Sequence, residues 1–256
     1  MIKNINSRVT DNEAKLIEYC IDHIKPIYNL FDRCHNEDHY DEVMSAAMIA
    51  IEYLPYRVEK YDSDVQLALI LAAAYHDIGR IIDEENHHIA STEILSKDRL
   101  LANEFFFNNK KVNKGRIMFL AKTMIIHHRR RFFKDPRGLQ DISNNLTKEL
   151  CKILYDCDKI NQSNKERVLY RYIAFYLDRI ECKKVLYNEK DINTMVENRW
   201  DKMGKGTYVG FNPVSDLFKD LKEHKKLHDF GIETGPFEFT KEDILNYYNK
   251  HFYIDK

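Results

Sequence analysis

Ala72-Ala73-Ala74-Tyr75-His76-Asp77-Ile78-Gly79-Arg80 sets the fold class of this chain. It continues an apolar run, Leu67 to Ala74, that predicts a helix buried on most sides. His76 and Asp77, an imidazole and a carboxylate able to bind a metal, follow side by side. Gly79 stands where a left-handed residue would close the helix, and Arg80 adds a cation. Burying His76 and Asp77 costs free energy unless they are hydrogen-bonded or bound to something. A helix-end ion pair would also satisfy them. One His-Asp dipeptide carries little weight in a chain with 11 His.

The weight comes from what surrounds it. Upstream lies Cys34-His35-Asn36-Glu37-Asp38-His39-Tyr40-Asp41-Glu42-Val43; downstream lie His87-His88, His127-His128 and Asp156-Cys157-Asp158-Lys159. In chain order this gives His…His-Asp…His…His…Asp. Imidazole nitrogen and carboxylate oxygen together suit Mn, Fe, Co, Ni or Zn better than Ca, which prefers oxygen alone.

Only eight Gly and five Pro interrupt the 256 residues, and helix formers are abundant. This predicts an all-α chain. Capping boxes at Thr10-Asp11-Asn12-Glu13 and Ser163-x-x-Glu166 open two of the expected helices. Others are expected over about 38–54, 63–76, 85–95, 98–107, 114–128, 146–158, 190–203, 213–228 and 240–251. Asp135-Pro136-Arg137-Gly138 marks a turn, and Met203 to Gly210 a glycine-punctuated loop. That loop lacks the glycine offset and preceding strand of a phosphate-binding loop.

A formal net charge of -1 gives no global field to attract nucleic acid or anionic membrane. Five scattered Cys without a CxxC pair favour reduced thiols and a cytoplasmic setting. No membrane-spanning stretch is expected, and an oligomer is left open.

From His35 to Lys159 the series resembles the HD-domain superfamily of metal-dependent phosphohydrolases. Asp156-Cys157-Asp158-Lys159 resembles its closing motif, and His35-Asn36-x-x-His39-x-x-x-Val43 the opening motif of its phosphodiesterase branches. The resemblance implies an HD-domain helical bundle over 1–180, with a helical extension over 181–256 packed on it. It implies that His39, His76, Asp77 and Asp158 bind one metal, with His87 and His127 added in two-metal members and Asp77 bridging. The cofactor is then one or two of Mn2+, Fe2+, Co2+, Ni2+ or Zn2+, with Mg2+ a further candidate. His87 is favoured over His88 because it stands four residues before Ser91. His127 is favoured over His128 because it follows Met124 by three; some members use both residues of such a pair.

The implied activity is hydrolysis of a phosphoric ester or anhydride, with a nucleotide or similar small phosphate as substrate. Asp77, His35, Arg80 and Lys159 are the catalytic candidates. His35 resembles the residue that protonates the leaving oxygen, and a structural role at a helix start fits it as well. Arg80, Arg129, Arg130 and Lys159 are the candidates to bind phosphate. The Gly-Tyr-Pro segment of cyclic di-GMP members is absent after His128, where Arg129-Arg130-Arg131 stands. A di-iron oxygenase with the same ligand order, or a metal-bound nucleotide sensor with little turnover, fits the motifs too.

Overall fold

A computed structural model describes residues 9–54, 63–109, 111–128, 142, 144–182, 207–208 and 210–251, with side chains in the helix after residue 164 described as far as 174. The helix expected over 190–203, the turn at 135–138 and the Arg129–Arg131 run lie outside the described residues. So does most of the glycine-punctuated loop.

The fold is all-α. Helix α1 (Asp11–Tyr19) carries the expected capping box: Thr10 Oγ1 accepts from the Glu13 N–H, and Glu13 Oε2 accepts from the Thr10 N–H at 2.8 Å. It runs on through a π-helical turn, Cys20–Ile24, and a 3-10 turn, Lys25–Leu30. Helix α2 (Glu37–Tyr53) starts one residue before expectation because Asn36 is its cap, accepting from the His39 N–H. Helix α3 (Ser63–Tyr75) is the hub, packed by α1, α2, α5 (Lys114–His127) and α6 (Asn145–Lys159). Every residue from Leu67 to Tyr75 is fully buried. Each such Leu or Ile stabilises the fold by roughly 1.5–3 kcal/mol relative to exposure. This all-round burial is what the unbroken apolar run requires.

Between α3 and α5 come a 3-10 turn, Ile78–Ile81, then α4 (His87–Lys97) and a π-helical turn, Leu101–Phe106. The last of these stands where an ordinary helix was expected over 98–107. Asp98 organises it: its Oδ1 accepts from the Leu101 N–H, and its Oδ2 accepts from the Tyr19 and Tyr75 hydroxyls at 2.9 and 2.5 Å.

Helix α7 (Lys165–Cys182) begins at Asn164, whose Oδ1 accepts from the Arg167 N–H. Ser163 belongs instead to a 3-10 turn, Ile160–Ser163, so the box read there is not the cap. The single helix expected over 213–228 is broken into α8 (Asp216–Glu223) and α9 (Lys226–Asp229), with Lys225 left-handed at φ 56°. Helix α10 (Lys241–His251) ends the described chain. Strands β1 (Thr207–Tyr208) and β2 (Phe237–Glu238) pair antiparallel, the one short sheet among the described residues. No described helix is long and apolar enough to cross a membrane.

The described residues fall into two compact units. One lies within Met1–Phe31, His35–Ile160 and Pro213–His224; the other lies within Asp32–Cys34, Asn161–Asn212 and Lys225–Lys256. This division differs from a split at residue 180. Its physical reason is Asp156 on α6, whose carboxylate accepts from the Val214 and Ser215 N–H groups and the Ser215 hydroxyl. Glu149 Oε1 accepts from the Leu217 N–H in the same way. Two α6 carboxylates thus hold the start of α8 within the first unit. Burial pushes the Asp156 carboxyl up to about 6, against the pull of these hydrogen bonds. In the second unit, Ile173 on α7, Phe237, Phe239 and Ile244 form a core on which Tyr208, Tyr247 and Tyr248 pack.

Candidate metal centre

The donors arrive on four helix ends of the first unit. His39 lies in the first turn of α2, directly after the Asn36 cap. His76 and Asp77 follow the last residue of α3. His87 opens α4, and Asp158 stands one residue before the end of α6. All five are at least nine-tenths buried.

His39 Nε2 lies 3.3 Å from His76 Nε2, 3.3 Å from Asp158 Oδ1 and 3.7 Å from Asp77 Oδ2. His76 Nε2 lies 3.5 Å from Asp77 Oδ2 and 3.9 Å from Asp158 Oδ1. Donors bonded at about 2.0–2.2 Å around one ion stand roughly 2.8–3.6 Å apart. His39, His76 and Asp158 offer donor atoms within 4.8 Å of one another, a group that could hold a metal ion, and Asp77 Oδ2 adjoins it. A second group adjoins it: Asp77, His87 and His128 offer donor atoms within 4.8 Å of one another, with Asp77 Oδ1 at 3.2 Å from His87 Nε2. Buried His and Asp groups that could hold a metal ion are therefore present, as expected for His39, His76, Asp77, His87 and Asp158.

His127 does not join them. It is half-buried, with Nδ1 on the Thr123 carbonyl, while His128 is buried and belongs to the second group. The helical period explains the difference. Ile117, Ala121, Met124 and Ile125 form the buried face of α5, and His128 continues that face four residues after Met124 and three after Ile125. His88 is buried beside His87, with ring centroids 5.8 Å apart, and lies outside both groups.

The tautomers suit ligation. Nδ1 of His76, His87 and His128 lies 2.9, 2.8 and 2.5 Å from the carbonyls of Ala73, Glu84 and Ile125. A carbonyl only accepts, so each Nδ1 carries the proton and each Nε2 presents its lone pair to the centre.

Gly79 and Ser91 clamp α4 against the His76-Asp77 turn. Ser91 Oγ accepts from the Gly79 N–H at 2.8 Å and donates to the His76 carbonyl at 3.0 Å. A Cβ on Gly79 would lie 2.2 Å from the His87 carbonyl oxygen and 2.4 Å from the Ser91 nitrogen. Close approach, not a left-handed φ, is what requires glycine here.

Arg80 Nε lies 3.1 Å from Asp77 Oδ2, and Lys159 Nζ lies 2.6 Å from Asp158 Oδ2. Burial alone would raise the Asp77 carboxyl. The neighbouring His76, the Arg80 guanidinium and the hydrogen bond from His39 outweigh it and hold Asp77 well below the usual carboxylate range. Burial is likewise outweighed at Asp158, by Lys159, His39 and His76. At His76 burial opposes, but Asp77 and Asp158 carry the imidazole above its ordinary value. Burial lowers His87, and pushes His128 down to about 3.

A cleft of about 190 Å³ opens on the centre. Beside the donors Asp77, His87, His128 and Asp158, its wall carries His35, Arg80, Lys159 and Tyr155. The first three were candidates from the sequence. Tyr155 was not, although its position three residues before Asp158 and four before Lys159 puts it on their face of α6. Arg129 and Arg130 lie outside the described residues. No protein-family model, no curated protein and no solved structure matches the chain.

Proposed function

We propose that the protein is a metal-dependent phosphohydrolase of the HD-domain type, acting on a nucleotide or related small phosphate ester. The observation that carries this reading is the convergence of His39, His76, Asp77 and Asp158 from three separate helices, with Arg80 and Lys159 on the wall of the same cleft. Mixed imidazole and carboxylate donors favour Mn2+, Fe2+, Co2+, Ni2+ or Zn2+. Such a cation, when bound, supplies a Lewis acid and lowers the pKa of water toward neutrality.

The chain's own residues divide the remaining work. Asp77 offers one oxygen to each donor group and is the bridging candidate. Arg80 and Lys159 keep the carboxylates ionised and bring positive charge to the cleft, where a phosphate would lie. His35 lies on the cleft wall with its ring 5.7 Å from that of His39, and this position supports it as the candidate to protonate a leaving oxygen.

The test is phosphate release from a nucleotide panel by purified protein, stripped with chelator and then resupplied with Mn2+, Fe2+, Co2+ or Mg2+. The reading expects release that depends on the metal and is lost in Asp77→Ala. No release from any nucleotide with any metal contradicts it. Oxygen uptake with Fe2+ and no phosphate release would mark the oxygenase instead.

A further inference from the structure

We propose that this site selects the dianion of a phosphomonoester, taking its terminal phosphoryl group between Arg80 and Lys159 and leaving the rest of the substrate outside the cleft. The proposal rests on the phosphohydrolase reading and narrows its substrate class.

Charge is the first argument. Asp77 and Asp158 each lie against one cation, Arg80 at 3.1 Å and Lys159 at 2.6 Å. These four charges cancel, and ligating imidazoles are neutral. One divalent ion among the donors would therefore leave the centre at a net +2, and an ion in each donor group at a net +4. In either case a monoester dianion cancels twice as much of that charge as a diester monoanion.

Size is the second argument. At about 190 Å³ the cleft is smaller than the roughly 300–1,000 Å³ of sites that enclose drug-sized ligands. It suits a phosphoryl group and the start of a sugar. Among the described residues its wall has no aliphatic side chain, so a second ester substituent or a base finds no apolar surface except the Tyr155 ring.

Tyr155 has a positioning role in this scheme. Lys159 Nζ sits 5.8 Å from its ring centroid, which favours keeping that ammonium at the cleft. The reaction is redox-neutral. The water oxygen bonds to phosphorus, the ester P–O bond breaks, and the alcohol leaves with a proton from His35. His35 regains a proton from the attacking water, so the products are the alcohol and hydrogen phosphate.

The test uses the full chain loaded with Mn2+. Calorimetry at about pH 8 compares inorganic phosphate, a dianion there, with dimethyl phosphate, a monoanion carrying two ester groups. Phosphate is expected to bind at least about tenfold tighter, a modest gain for one extra charge beside two cations. Tyr155→Phe, which keeps the ring, should retain this preference, and Tyr155→Leu should lose most of it. In turnover, nucleoside 5′-monophosphates should exceed cyclic and dinucleotide diesters, with little difference among bases. Diesters bound or hydrolysed as well as monoesters overturn the proposal and leave the phosphohydrolase reading standing. No saturable phosphate binding also overturns it. Tighter phosphate binding without hydrolysis of either class sinks the phosphohydrolase reading and supports the anion subsite.

Discussion

Asp77 Oδ1 stands 3.2 Å from His87 Nε2, while the other oxygen of the same carboxylate stands 3.5 Å from His76 Nε2. One side chain thus faces both donor groups, and α4 must approach the α3 turn closely for that to happen. Gly79 permits the approach.

Gly79→Ala should therefore weaken the His87 side of the centre. The added methyl meets backbone atoms, which cannot rotate away. We expect a stability loss of about 3 kcal/mol, at the upper end for overpacking. Metal binding at the second donor group should fall more than at the first. Chemical denaturation with metal titration checks this; a variant as stable as the parent, with unchanged stoichiometry, would contradict it.

His128→Ala and His127→Ala should differ. His128 points its Nε2 lone pair into the second group, and His127 belongs to neither. Metal analysis should show reduced content or affinity in His128→Ala and little change in His127→Ala. The reverse result would restore the residue that the motif spacing favoured.

Metal affinity should still be rising with pH at about 6.5, the ordinary imidazole value, and level off only above the raised value of His76. His76 is held above that value, so in the metal-free protein a proton competes for its Nε2 lone pair. Asp77 and Asp158, held low, and His87 and His128, held neutral, have no proton to give near neutrality. Binding near pH 7 should thus release a proton from His76. Calorimetry in buffers of different ionisation heat measures this. A pH-independent affinity with no proton release would be inconsistent with the assignment.

Tyr40→Phe should stabilise the protein by about 1 kcal/mol without touching metal binding. Tyr40 is 1% exposed and packs edge-on against Tyr28, and its hydroxyl has no hydrogen-bond partner among the described residues. A buried unpaired hydroxyl costs roughly 1–3 kcal/mol, and phenylalanine keeps the shape without it. A clear loss in thermal stability would reveal a partner for the hydroxyl.

Much of the centre was legible because its donors sit at helix ends that the sequence marks. The apolar run to Ala74 fixes where His76 and Asp77 emerge, and Asn36 fixes the start of α2 and hence His39. Motif spacing counted from Met124 favours His127, whereas the buried face of α5, counted from Ala121 and Ile125, leads to His128, the residue that the second donor group contains. Asp156 looked like part of the closing motif. Its partners, Val214 and Ser215, are more than fifty residues away, a pairing that no local pattern announces. The break at Lys225 was equally hidden, because lysine gives no warning of a left-handed conformation.

The central claim is that His39, His76, Asp77 and Asp158 share one cation, and anomalous diffraction from crystals soaked in Mn2+ tests it most directly. The account predicts a peak within about 2.0–2.3 Å of His39 Nε2, His76 Nε2, Asp77 Oδ2 and Asp158 Oδ1, and no peak there in Asp77→Ala crystals. Soaked parent crystals with no peak among these four side chains, or with a peak unchanged in Asp77→Ala, would contradict it.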